Sequence, residues 1–304
     1  MTSLERRYRW LLRAYPNAYR ADHGEELLDI LLESAAPGQA LPPAREAYAL
    51  LVGGLRTRII SAAQGPAWVD GLHLGVTALA VLNLAVLVPY ATSVPLWLAL
   101  SAIALVLILR GHVRPALPFA GAVAVKVTAI TMGRPWLDDT LLPVYPDFPE
   151  ELWSGPALYG NGGPVAPLTS NVLIIAGLLA LSARRERPRT RSWWWLAAVP
   201  LVAGADPAWL DIVAGSPTAM TRVCVEAALL FGAAYAGQIT ADSRWAIAAG
   251  VYLVSATAVI YENGVVYQNI ATLSRQDIAH AALLVVLTLA AALVPYRARR
   301  RILL

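Results

Sequence analysis

The sequence predicts an all-α, polytopic membrane protein in which a small N-terminal cytosolic helical bundle precedes about eight transmembrane helices. Three observations carry that prediction. The 304-residue chain is 58% hydrophobic and only 14% charged, with a mean hydropathy of +0.55, a composition outside that of soluble globular domains. Eight apolar runs are long enough, or nearly so, to cross a hydrocarbon core of about 30 Å. The arginines, finally, collect in alternate connecting segments between those runs.

Residues 1–66 read as a prefix domain of three short helices. Leu4, Tyr8, Leu11, Leu12 and Tyr15 recur at helical spacing, with Pro16 where a helix must stop. A turn at His23-Gly24 then leads into a second run, where Glu25 and Glu26 suit the positive end of a helix dipole and Leu27, Leu28, Leu31 and Leu32 follow. Pro37-Gly38 and Pro42-Pro43 end it. A third run sets Tyr48, Leu51, Val52, Leu55 and Ile59 on one face, with Arg56 and Arg58 beside them, and Gly65-Pro66 terminates it. Arginines and acids balance over the first seventy residues, so direct nucleic-acid binding, which relies on neutralising phosphates, is not expected.

The run ERRYRWLLRAYPNAYRADHGEELLDILLE resembles the helical prefix domain, of HAAS and permease-prefix type, that precedes membrane spans in many bacterial proteins. REAYALLVGGLRTRI is similar to the third helix of actinobacterial members. The likeness covers roughly sixty residues, and Tyr15-Pro16, Tyr19-Arg20 and Gly24-Glu25-Glu26 are its most specific part. The resemblance implies a cytosolic interaction module, often associated with PadR-type transcription regulators or permease-like membrane domains. Tyr15, Pro16, Tyr19, Arg20, Gly24, Glu25 and Glu26 are therefore the candidate partner-binding residues. The simpler alternative is that these helices only pack beneath the membrane domain.

Residues 67–304 make up the membrane domain, with spans expected at about 72–90, 94–109, 115–132, 168–182, 193–213, 219–239, 245–262 and 278–296. No secretory signal peptide precedes them, because the first thirty residues alternate arginine, glutamate and aromatics; the first span then acts as the insertion signal. Twenty of the 24 cations fall in the prefix, in Arg110 to Arg114, in Arg184 to Arg191, at Arg244 and in Arg297 to Arg301, all on one side if there are eight spans. The positive-inside rule then predicts a multi-pass protein of the bacterial cell membrane with both termini in the cytoplasm. Trp193, Trp194 and Trp195 fit an interfacial belt, and the basic tail fits contact with anionic lipid headgroups. The outer loop 133–167 carries five acids and several aromatics, which favours a packed cap over a tether.

Charges at membrane depth are costly and are usually paired. Lys126, Asp206, Arg222 and Glu226 qualify, and Glu262 adds a carboxylate at the outer end of the seventh span. Arg222 and Glu226 stand at i,i+4 and fit an intrahelical pair. Lys126 and Asp206 both fall in the outer half, roughly 17 and 20 Å along their helices. Pro200 and Pro207 are expected to kink or end the fifth span beside Asp206. Two readings stay open: a polar pocket beneath the 133–167 cap, or two ion pairs that only staple helices together.

Cys224 is the single cysteine, and His23, His73, His112 and His280 are scattered singly, so no metal site, cofactor or catalytic set is expected. No Gly-rich phosphate loop and no nucleophile triad appears. An integral membrane regulatory or sensor protein, not an enzyme, is the expectation. Its partners are then membrane lipids and a cytosolic PadR-type regulator. The alternative is a permease or transporter subunit with a polar site in the outer half of the membrane, served by a separate ATPase.

Overall fold

The structure, a computed structural model, describes residues 2–36, 38–63, 65–88, 91, 95–131, 165–184, 187–203, 220–261 and 275–303. All regular elements among these residues are helices. The chain divides into two compact units, Met1–Gly65 and Pro66–Leu304.

In the first unit, α1 (Ser3–Leu11) opens with a capping box. The Thr2 hydroxyl accepts from the Glu5 amide at 3.2 Å and the Glu5 carboxylate accepts from the Thr2 amide at 3.3 Å, satisfying two donors that a helix start leaves without intrahelical partners. A 3-10 turn, Leu12–Ala14, then hands over to α2 (Asn17–Glu33), and α3 spans Ala44–Ala62. Leu4, Tyr8, Leu11, Leu12, Tyr15, Leu28 and Leu50 form the core. The Tyr8 hydroxyl donates to Glu46 at 2.6 Å. Burial first, and then this carboxylate, push the Tyr8 phenol up to about 12.

Two sequence expectations change here. His23-Gly24 is not a turn: α2 begins at Asn17, just after Pro16, and runs straight through both residues. A single interior glycine costs a helix only about 1 kcal/mol, and the Tyr19 ring, stacked on Tyr15 with centroids 5.2 Å apart, meets the tilted ring of His23 at 4.9 Å one turn further along α2. The third helix is seated by Leu50 and Gly54, not by the apolar stripe, for Tyr48, Leu51 and Leu55 are exposed. A Cβ on Gly54 would stand 2.7 Å from the Ala14 Cβ, so only glycine lets α3 approach the 3-10 turn this closely. Arg58 fixes the same approach by donating to the carbonyls of Arg13 and Ala14.

The second unit contains α4 (Ala67–Leu87), α5 (Pro95–Leu109), α6 (Val113–Thr131), α7 (Val165–Ser182), α8 (Trp194–Ala203), α9 (Met220–Thr240), α10 (Arg244–Tyr261) and α11 (Arg275–Leu303). Five stretches in these helices are long and apolar enough to cross a membrane: Ala67–Leu87, Val165–Ser182, Arg222–Thr240, Arg244–Tyr261 and Ile278–Arg299. The expected 133–167 cap falls outside the described residues, except that 165–167 open α7.

One apolar core joins α4 to α8, with Leu79, Leu105, Ile108 and Leu178 at its centre; a second joins α9, α10 and α11 around Leu230, Ala249, Ala256 and Leu284. The two meet where α4 and α10 run side by side in the same direction. A Cβ on Gly71 would lie 2.5 Å from the Arg244 carbonyl oxygen, and one on Gly75 2.8 Å from the Val251 Cβ. Gly71 and Gly75 thus form a small-xxx-small contact that brings the two helix backbones close.

One end of this unit gathers the arginine-bearing turns. The Arg191 amide donates to the Leu109 carbonyl at 2.7 Å, Arg114 Nη2 to the Ser182 carbonyl at 3.1 Å, and Arg299 to the Ala241 carbonyl. Gly111 there has a φ of 73°, in the left-handed region where glycine is unstrained. The Arg110 guanidinium lies 4.9 Å from the Trp193 ring centroid and that of Arg184 4.6 Å from the Trp68 centroid.

Candidate functional site: a carboxylate shared by three helices

The apolar composition of α9 admits few polar side chains, and two of them stand one turn apart. Arg222 Nε donates to Glu226 Oε1 at 3.0 Å, the i,i+4 pair expected from spacing alone. The same oxygen accepts from the Tyr252 hydroxyl of α10, and Oε2 accepts from His280 Nε2 of α11 at 2.6 Å. Glu226 is 5% and His280 8% exposed. Three donors from three helices therefore converge on one buried carboxylate.

Removing a carboxylate from water costs several kcal/mol unless its lone pairs are matched. Here a cation on the same helix balances the charge, while the phenol and imidazole fill the remaining acceptor sites. With Glu226 accepting, Nε2 of His280 carries hydrogen whether the ring is neutral or cationic. Counting about 1.5 Å per residue, Glu226 lies roughly 21 Å along α9 from Thr240 and its arginine-rich end.

Lys126 sits on a different helix pair. It is 3% exposed on α6, and its ammonium stands 5.3 Å from the centroid of Trp97 on α5. Asp206 and Glu262 lie outside the described residues. Of the five candidate pocket residues, then, the structure joins Arg222 to Glu226 and adds Tyr252 and His280.

A second polar network occupies the arginine-rich end. Asp70, in the first turn of α4, takes Arg191 Nη2 on Oδ1 at 2.8 Å and Arg244 Nη1 on Oδ2 at 2.8 Å. Arg244, 1% exposed, is held from its other side by Asp242 at 2.8 Å. Arg191 Nε donates to His73 Nδ1 at 3.2 Å, and His73 Nε2 donates to the Ile108 carbonyl at 2.8 Å. Burial lowers the Arg191 guanidinium from its ordinary value, against the pull of Asp70. Asp70, Asp242, Arg191 and Arg244 thus clasp α4, α10 and the segment before α8, and His73 extends the network to α5.

The candidate partner residues are spread over buried and exposed positions of the first unit. Tyr15 is buried in the core, Tyr19 is half-buried against it, and Glu25 and Glu26 are exposed. Arg9 holds Glu25 through two bonds of 2.7 and 3.0 Å, His23 stands 3.9 Å from Glu26, and Arg20 donates to Asn17. Pro16 is the N-cap of α2, and Gly24 lies within that helix. Tyr15 is thus a packing residue, while the exposed acids present a surface.

No protein family model, curated protein or solved structure matches the chain.

Proposed function

We propose that this is a bacterial integral membrane regulatory protein that senses a condition outside the cytoplasmic side and holds a cytosolic partner on its N-terminal unit. The observation that carries the reading is the buried Glu226, bound at once by Arg222, Tyr252 and His280 on three apolar helices. Intramembrane ionisable groups are rare and tend to mark functional sites. A carboxylate held by three helices is sensitive to any change in how they pack, and a proton or polar ligand arriving there would favour one packing over another.

Eight crossings with both termini in the cytoplasm accompany this reading. In support, the connections bearing Arg114, Arg191, Arg244 and Arg299 are hydrogen-bonded to one another's neighbours at a single end of the unit, as the positive-inside rule asks of a cytoplasmic face. The output side rests on the likeness of residues 1–66 to the HAAS and permease-prefix domain, with the exposed Glu25 and Glu26 as its contact surface and a PadR-type regulator as its partner.

The test is recovery of partners from native membranes with the full chain, with Glu25→Ala/Glu26→Ala, and with a chain lacking residues 1–66. A transcription regulator recovered only by the intact prefix supports the sensor. An ATPase recovered in its place moves the protein to the permease class, where the Glu226 cluster becomes a transport site. Identical recovery from all three proteins overturns the partner-binding role.

A further inference from the structure

The apolar stripe of α3 is not used by the core of its own unit. Tyr48, Leu51 and Leu55, at i, i+3 and i+7, are 70%, 46% and 54% exposed, and Val52 and Ile59 are half-buried on the same stripe. At 3.6 residues per turn, Arg45 and Arg56 flank it on one side and Arg58 on the other. The acid of α3, Glu46, points the opposite way and accepts the hydrogen bond of Tyr8. An apolar stripe bordered by arginines is the pattern of a helix that lies in a membrane interface.

Chain length brings the interface within reach. Only residues 63–66 separate the end of α3 from Ala67, a connection that extends to at most roughly 17 Å. Ala67 opens a helix long and apolar enough to cross a membrane, so the stripe is tethered beside a lipid surface. Its arginines match the negative charge of a cytoplasmic leaflet.

We propose that the outer stripe of α3 docks on the membrane surface, with Tyr48, Leu51 and Leu55 at the headgroup–acyl boundary and Arg45 and Arg56 on anionic phospholipid phosphates. This requires α4 to cross the membrane and is independent of which partner the prefix holds. The acidic surface of α2 stays in water in this arrangement.

The experiment uses the full chain in vesicles, in a Cys224→Ser background that removes its one cysteine. An environment-sensitive fluorophore is attached at Leu55→Cys, or at Glu26→Cys as the aqueous reference, with lipid-borne nitroxide as quencher. Quenching at position 55 is expected to exceed that at 26 by about threefold or more, and to rise when phosphatidylglycerol replaces part of the phosphatidylcholine. Arg45→Gln/Arg56→Gln, both at exposed positions, should abolish that rise while leaving the helical spectrum unchanged. Equal quenching at 55 and 26 in both lipid mixtures overturns the proposal. Self-quenching between labels at 55 that grows with protein density also overturns it, assigning the stripe to a second copy of the chain.

Discussion

Arg244 reaches Asp70 across 174 positions of sequence, with Nη1 2.8 Å from Oδ2, although only 1% of the arginine is exposed. The same aspartate holds Arg191 through its other oxygen, so one carboxylate balances two guanidinium groups and Asp242 supplies the second negative charge. Asp70→Asn is expected to destabilise the second unit by about 3–5 kcal/mol, because it leaves buried cations short of a partner. Adding Arg191→Gln should then cost less than Arg191→Gln does alone. Thermal unfolding in detergent of the two single variants and the double closes the cycle, and strictly additive losses would contradict a shared charge.

Glu226→Gln keeps the size of the side chain but removes the charge opposite Arg222. The expected loss is about 3 kcal/mol or more, since a buried guanidinium loses the carboxylate it donates to. Arg222→Gln on top of it should restore part of that loss. Proteolysis rates in detergent would show it, and a double variant less stable than Glu226→Gln alone would refute the assigned pairing.

Gly177 faces Val76 so closely that an added Cβ would stand 2.4 Å from Val76 Cγ2, with the Val76 Cβ 3.9 Å away. Gly177→Ala should therefore cost about 1–3 kcal/mol as overpacking between α7 and α4. Val76→Ala removes the offending methyl, and the double variant should be more stable than the two separate losses sum to. No rescue in a melting series would mean that α7 and α4 pack differently.

Tyr8 supplies a pH signature. Its phenol is raised from 10.0 to about 12 in the folded chain, so the neutral form contributes its full stabilisation below pH 10 and loses it as pH rises through about 12. The loss amounts to about 2–3 kcal/mol for a shift of this size. The full chain should be the more stable below pH 10, where the neutral phenol donates to Glu46, and alkaline unfolding should show its advantage over Tyr8→Phe shrinking between about pH 10 and 12. An advantage that stays constant across that window would exclude Tyr8 as the titrating group.

The Arg222–Glu226 pair was legible in the sequence because helical spacing is a local property, and four residues suffice to place both on one face. Tyr252 and His280 were not, since their meeting with Glu226 depends on the register between three helices, which no local pattern encodes. The Asp70 clasp was hidden for the same reason: its members stand 121 and 174 positions apart. Gly71 and Gly75 did carry a readable sign in their four-residue spacing. Gly24 misled in the other direction, reading as a turn where flanking helix formers keep α2 continuous.

Helix α10 begins with Arg244, which is anchored on α4 through Asp70, and presents Tyr252 to Glu226 eight residues later. About 12 Å of rigid helix therefore separates the two anchors. A helix stretches far less readily than an ion pair lengthens. Any sliding of α10 that relaxes its grip on Glu226 must pull on Asp70 by the same distance, which makes α10 a connecting rod between the two charge clusters.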